Sequence, residues 1–264
     1  MNSKGYVWFA FGKKYVELSQ RLAESIKKVN RKNQVCIITD DHMLQVPFAL
    51  KHIDKVQLCE KPKGKFDKEW KVFELTPFTH TIKLEADMLF TQNTDWWWYH
   101  LYQFDMVHSY NCRNYKDDIV GSTAYRKLFK ENSLPNIYSG LTYFRKSKFA
   151  DKFYKLCKHI TENWESVSQN CLKNCHDSEP TTDVVYALAK KILDPLDENK
   201  INFDWFNFVH NKNDVNQLNP HYHNNDFLQT YKNNNSVYLG GYRQSRVWHY
   251  HEKDTMEKLD ARIF

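Results

Sequence analysis

The chain opens with an apolar run, an amphipathic stretch and a second apolar run, and this order restricts the fold more than anything else in it. Tyr6-Val7-Trp8-Phe9-Ala10-Phe11-Gly12 reads as a buried strand. Lys13 to Val29 follows as a helix, because Tyr15, Val16, Leu18, Leu22, Ile26 and Val29 recur at near-helical spacing. Gln34-Val35-Cys36-Ile37-Ile38-Thr39 returns as a strand that ends in Asp40-Asp41. A strand–helix–strand unit crosses over with a right hand and sets its strands parallel. The expectation is therefore an α/β fold, an open and mostly parallel sheet flanked by helices. Sheets of that kind bind ligands beyond the carboxyl ends of their strands.

The rest of the chain extends the pattern. Lys55 to Cys59 reads as a short third strand, and Lys61-Pro62-Lys63-Gly64-Lys65 as a basic loop with two breakers of regular structure. Asp67 to Leu75 reads as a short helix carrying Trp70, Lys71 and Phe73, closed by Pro77. Thr81 to Phe90 is apolar apart from Lys83, Glu85 and Asp87, and reads as one strand. Phe104 to Tyr110 and Tyr138 to Phe144 are further strands, with a polar loop from Asn111 to Thr123. Lys148 to Asn163 and Thr182 to Leu193 are helices, the second opened by Pro180-Thr181. Beyond Ile201 the chain is rich in Asn and His, with no clear period until Val237-Tyr238-Leu239. No repeat or linker divides it, so residues 1–264 read as a single domain.

Composition excludes some classes. Aromatic residues make up 16% and hydrophobic residues 41%, which belongs to a folded chain and offers stacking surfaces for sugars or bases. The net charge of +6 suits an anionic ligand without naming it. No run of 18 apolar residues exists, and Met1-Asn2-Ser3-Lys4-Gly5 leads into no signal-peptide pattern. The expectation is a cytoplasmic protein without stable membrane insertion. The six cysteines are scattered. Cys171, Cys175 and His176 hint at zinc spacing but lack a second pair, so reduced thiols are expected.

The chemistry concentrates at Glu85-Ala86-Asp87. On a continuing strand these carboxylates point to one face, and a buried face does not tolerate two like charges without a counter-ion. A hard divalent cation at the strand's carboxyl end would neutralise them and bridge to phosphate oxygens. A solvent-facing pair at a strand edge is the alternative. Neither the glycine fingerprint of dinucleotide folds nor a Walker A loop is present. Phosphates bound here would be held by metal and by Lys or Arg.

Several segments, in order, resemble GT-A glycosyltransferases. Lys71, Pro77-Phe78 and Lys83-Leu84-Glu85-Ala86-Asp87-Met88-Leu89 resemble that family's nucleotide-sugar segment, with Glu85 where an Asp usually stands. Tyr138-Ser139-Gly140-Leu141 resembles its Asn-Ser-Gly strand, with Tyr138 in the Asn place, and Thr181-Thr182-Asp183 resembles its later acidic turn. Trp248-His249-Tyr250-His251-Glu252-Lys253 resembles the closing His-Tyr-x-x-Lys element of glycogenin-like and lipopolysaccharide-type members. Richness in Asn, Lys and Trp also looks like glycosyltransferases of large tailed bacteriophages, which would place the protein in a host cytoplasm.

The resemblance implies an enzyme that moves a sugar from a nucleoside diphosphate, UDP-type favoured, to a hydroxyl, with retention at the anomeric carbon. It implies Mn²⁺ or Mg²⁺ held by Asp87 and His249, with Glu85 on the ribose or a metal-bound water, and His251 as the rival of His249. Lys253 and Lys71 would reach the nucleotide, Phe9 and Phe11 would flank the base, and Ser139 and Gly140 belong to the donor strand. Asp183 would orient donor or acceptor hydroxyls; its plain alternative is a helix cap. Lys71 has solvation as its alternative, and Phe9 core packing. Of Trp96, Trp97 and Trp98, which would stack against an acceptor, at least one belongs to the core.

The favoured acceptor is a hydroxymethylated pyrimidine in DNA, with phosphates contacted by Lys61, Lys63, Lys65 and the Arg113 to Arg126 segment. A bacterial surface glycan or lipopolysaccharide is the second acceptor. A non-catalytic protein that binds a nucleotide or nucleic acid is the competing class.

Overall fold

The computed structural model describes residues 3–40, 51–64, 66–120, 126–196, 200–216, 230–233 and 236–250. The chain starts with β1 (Lys4–Phe9), α1 (Lys13–Val29), β2 (Gln34–Thr39) and β3 (Lys55–Leu58). A 3₁₀ turn at Glu69–Lys71 leads into α2 (Val72–Leu75), then β4 (His80–Lys83), β5 (Met88–Phe90) and α3 (Trp97–Leu101). The middle holds β6 (Met106–Tyr110), β7 (Cys112–Arg113), β8 (Ile119–Val120), α4 (Lys127–Glu131), β9 (Ile137–Arg145), α5 (Lys148–Glu162), α6 (Trp164–Cys171) and α7 (Thr182–Leu193). The last part holds β10 (Phe208–Asn211), α8 (Asn213–Asn216), β11 (Thr230–Asn233), β12 (Ser236–Leu239), β13 (Tyr242–Gln244) and β14 (Val247–Tyr250).

Six strands form the central sheet in the order β3-β2-β1-β4-β9-β6. β1 pairs in parallel with β2 and β4, and β2 with β3, while β9 runs antiparallel to both β4 and β6. The sheet is thus mostly parallel, as the opening strand–helix–strand unit implies. Because side chains alternate along a strand, Tyr6, Trp8, Val35, Ile37, Ile82 and Val107 fall on one face, against Val16, Leu22 and Ile26 of α1. Val7, Cys36, Ile38, Met106 and Phe144 fall on the other, against Phe153 and Tyr154 of α5 and Val185 and Tyr186 of α7. Each fully buried Leu or Ile contributes about 1.5–3 kcal/mol. Side-chain caps open two of these helices: Ser147 accepts from the Ala150 N–H, and Thr181 from the Val184 N–H.

A second sheet, β5-β14-β10-β7-β8, shares the α1-side core of the first. A third, β11-β12-β13, is a small antiparallel meander. The expectation of one continuous strand from Thr81 to Phe90 is corrected here. β4 ends at Lys83 in the central sheet, the chain turns at Glu85-Ala86-Asp87, and β5 begins at Met88 in the second sheet. The turn closes through the Met88 N–H donating to the Glu85 carbonyl at 3.2 Å. The polar stretch from Asn111 contains the β7–β8 hairpin rather than loop alone, and the segment beyond Ile201 contributes β10 and β14 to the second sheet. Among the described residues no helix is long and apolar enough to cross a membrane.

Candidate functional site

The turn between the two sheets lies at the carboxyl end of β4, beside the ends of β1 and β2. β14 reaches it from the far end of the chain. It pairs antiparallel with β5, setting His249 opposite Met88, and the Tyr250 N–H donates to the Asp87 carbonyl at 3.1 Å. This register brings His249 Nε2 to 3.1 Å from Glu85 Oε2 and 3.3 Å from Asp87 Oδ1. Each of the three residues offers one ligand atom, all within 4.8 Å of one another. Asp87 and His249 are buried, while Glu85 keeps a third of its side chain open to solvent.

The trio fits a divalent ion on two counts. Neighbouring ligands of an octahedral ion with bonds of about 2.1 Å stand about 3 Å apart, and the two contacts of His249 Nε2 are near that value. Charge is the second count. Lys83, 1% exposed, pairs with Glu69 at 3.0 Å. Arg126, also 1% exposed, pairs with Asp183 at 2.6 Å. Glu85 and Asp87 set two carboxylates side by side in one partly desolvated site, the sign of charge that a divalent cation neutralises. Burial above all pushes the Glu85 carboxyl above its usual range, against the pull of His249 and Lys83, and Asp87 and Asp183 add to the rise. Burial opposes the charge of Lys83, but Glu69 and then Glu85 outweigh it and hold its pKa above the usual lysine value.

Gly140, on β9, lies directly under Glu85. A Cβ there would stand 3.0 Å from Glu85 Cδ and 3.1 and 3.2 Å from its two oxygens. Only a residue without a side chain leaves the carboxylate in this position. The preceding Ser139 donates both its N–H and its Oγ–H to Asp183 Oδ1, each at 2.8 Å. Asp183 is therefore not the cap of α7, since Thr181 holds that role. Its carboxylate is tied to β9 instead.

The other expected residues fall at varying distances from the trio. Phe9 and Phe11 are half-buried at the end of β1, their rings stacked at 5.8 Å. Lys71 is half-buried with its ammonium 5.6 Å from the Trp70 ring, and its charge reaches the Cys59 thiol just past β3. No hydrogen bond or ion pair described here joins Lys71 to the trio. His251 and Lys253 lie outside the described residues. The tryptophans are elsewhere. Trp97 and Trp98 are core, and Trp98 packs on Tyr6 and Lys4 at the start of β1, the edge away from Glu85. Trp96 is 43% exposed and packs beside His100 and Trp205.

The arginines expected on DNA phosphates are occupied. Arg113 pairs with Asp204 and Asp117, and Arg246 with the same two acids. Arg126 is buried against Asp183, whereas Lys61 and Lys63 are exposed. Sequence reasoning offered Arg126 only as part of the segment facing DNA phosphates, gave Lys83 no separate role, and passed over His210. β10 sets His210 beside His249 in register, with ring centroids 4.6 Å apart and planes at 74°. Asp40, where β2 ends, is 8% exposed, and its Oδ1 has no hydrogen-bond partner among the described residues.

Neither a protein-family model nor a curated protein sequence matches the chain. Solved structures similar to it include the apo form of the glycosyltransferase GlyE of Streptococcus pneumoniae TIGR4, at 13% identity and a TM-score of 0.42, over 78% of this chain and 46% of that one. A second structure of GlyE matches at 11% identity and a TM-score of 0.40, over 72% of this chain and 43% of that one. The chain spans less than half the length of either. A likeness this loose decides no chemistry; the side chains of the site do.

Proposed function

We propose that this protein is a metal-dependent glycosyltransferase that moves a sugar from a nucleoside diphosphate, UDP-type favoured, to a hydroxyl acceptor. The observation that carries the reading is the meeting of Glu85, Asp87 and His249, distant in sequence, at the carboxyl end of β4 in a mostly parallel sheet. Asp87 and His249 would hold Mn²⁺ or Mg²⁺, and Glu85 would bind the ion, its water or the donor ribose. Such an ion supplies Lewis-acid neutralisation of a diphosphate leaving group. Phe9 and Phe11 offer the base a stacked apolar edge beside the turn, and Asp40 offers an unsatisfied acceptor at the neighbouring strand end. Lys71 and Lys253 are the proposed phosphate contacts. Asp183 would accept a hydrogen bond from a sugar or acceptor hydroxyl.

For the acceptor, hydroxymethylated pyrimidine in DNA now rests on the exposed Lys61 and Lys63, and on Lys65, which lies outside the described residues. Burial of Arg113 and Arg126 against carboxylates favours the second reading, a glycan hydroxyl, which needs no row of phosphate contacts. The test incubates the protein with a panel of labelled nucleotide sugars, in Mn²⁺ or in EDTA, with hydroxymethylated DNA or bacterial glycan as acceptor. Metal-dependent release or transfer of one sugar supports the reading, and label in glycan alone removes the DNA acceptor. Inertness toward the whole panel leaves a nucleotide-binding protein without catalysis.

A further inference from the structure

We propose that Arg126 is a positioning residue of this site: stacked between Tyr138 and Phe129, it fixes Asp183 as the acceptor of a single substrate hydroxyl and not as a nucleophile. The inference rests on the glycosyltransferase reading and extends it to residues outside the trio.

Hydrogen-bond valence is the first ground. An ionised carboxylate has about four acceptor positions. Oδ1 of Asp183 takes the Ser139 N–H and the Ser139 Oγ–H, and Oδ2 takes the Arg126 Nη2–H at 2.6 Å. Three positions are thus filled by the protein and one remains on Oδ2. Asp183 is 27% exposed, so this position is open to a ligand. A nucleophile needs a free oxygen that can advance on carbon. Here both oxygens are tethered, and what remains is one directed hydrogen bond.

The second ground is how Arg126 is built in. Its guanidinium lies 3.7 Å from the Tyr138 ring centroid and 4.2 Å from that of Phe129, and Nη1 donates to the Ile137 carbonyl at 3.2 Å. A buried cation costs several kcal/mol of desolvation unless its partners are all in place. This one has two aromatic faces, a carbonyl and a carboxylate. Lysine cannot reproduce the set, because it lacks both the planar face and the fork. Tyr138 also donates its hydroxyl to Cys112 Sγ at 3.2 Å and packs its ring near His210, which in turn packs on His249. The Tyr138 ring thus contacts the Arg126 guanidinium and also lies near His210, the neighbour of His249.

The test compares sugar-nucleotide turnover by wild type, Arg126→Lys and Arg126→Ala, each with dilute guanidinium chloride well below denaturing concentrations, alongside Mn²⁺ affinity and melting temperature. Misplacing a reacting group by about 1 Å costs roughly 100-fold, so kcat falls by about that factor in both variants while donor KM and Mn²⁺ affinity hold. Guanidinium restores part of kcat in Arg126→Ala, where it fills the vacated slot between the rings, and none in Arg126→Lys. Wild-type kcat in Arg126→Lys, or a folded Arg126→Ala that guanidinium does not rescue, overturns the inference while leaving the transferase reading intact. If Arg126→Ala does not fold, the kcat of Arg126→Lys alone decides. A wild type that turns over no nucleotide sugar removes the parent reading and this one with it.

Discussion

Replacing Gly140 by alanine separates stability from function in one substitution. The new methyl would lie 3.0 Å from Glu85 Cδ, whereas carbon–carbon contacts settle at about 3.5–4.0 Å. The backbone at Gly140 does not have the left-handed φ of Gly12, Gly240 or Gly241, so alanine brings no main-chain strain. The flexible carboxylate yields instead, by about 0.5 Å at the least. Ligand distances in a metal site hold to about 0.2 Å, so Glu85 leaves its place beside Asp87 and His249. The expected loss of Mn²⁺ affinity is about 10–100-fold, the range for misplaced supporting groups, or roughly 1.4–2.8 kcal/mol. Stability goes the other way. Alanine at an unstrained glycine position gains about 0.4–1 kcal/mol by restricting the unfolded chain, so the melting temperature holds or rises. Calorimetric Mn²⁺ titration and thermal unfolding of the same preparations measure both. An alanine variant that binds Mn²⁺ as wild type does would refute the argument that Gly140 exists to seat Glu85.

Three further outcomes follow from the same geometry. His249→Ala should lower Mn²⁺ affinity by about 10–100-fold or more and His251→Ala much less; calorimetric titration giving the reverse ranking moves the ligand to His251. Lys83→Met leaves Glu69 and Glu85 without their buried cation and should cost about 3 kcal/mol in urea unfolding, and an unchanged midpoint contradicts that. Burial and then the charge of Lys190 push His108 down to about 3, below the usual 6.5 or so of the unfolded chain. The sign follows: its contribution is full above pH 6.5 or so, shrinks as pH falls toward the folded value, and amounts to a loss of about 2 kcal/mol at pH 5. Unfolding at pH 7 and pH 5 should show this loss, and a His108→Gln variant should lack it.

Much of the architecture was legible because it is local. The α1 stripe from Val16 to Ile26 and the apolar alternation of β1 and β2 name a parallel unit, and Thr181 announces α7 by its capping chemistry. The break at Glu85–Asp87 was not legible. Leu84, Ala86, Met88, Leu89 and Phe90 are all buried, so the apolar run continues while the chain passes between sheets, with no Gly or Pro to mark the turn. β10 is four residues long and buried throughout, too short for a period, so His210 became visible only through its register with His249. Arg126 was hidden for another reason. In sequence it sits in a basic stretch and reads as a phosphate contact. Only the fold puts Tyr138 and Phe129 on its two faces and Asp183 at its tip.

The central claim is that Glu85, Asp87 and His249 form one divalent-cation site that serves a nucleotide sugar. Its most direct test is Mn²⁺ binding followed by electron paramagnetic resonance, with and without UDP, on wild type and on Asp87→Asn, which removes one ligand charge with little change of shape. The account predicts one saturable Mn²⁺ per wild-type chain, tightened by UDP, and its loss in a folded Asp87→Asn variant. Saturable binding that survives Asp87→Asn, or none in wild type with UDP present, would contradict it.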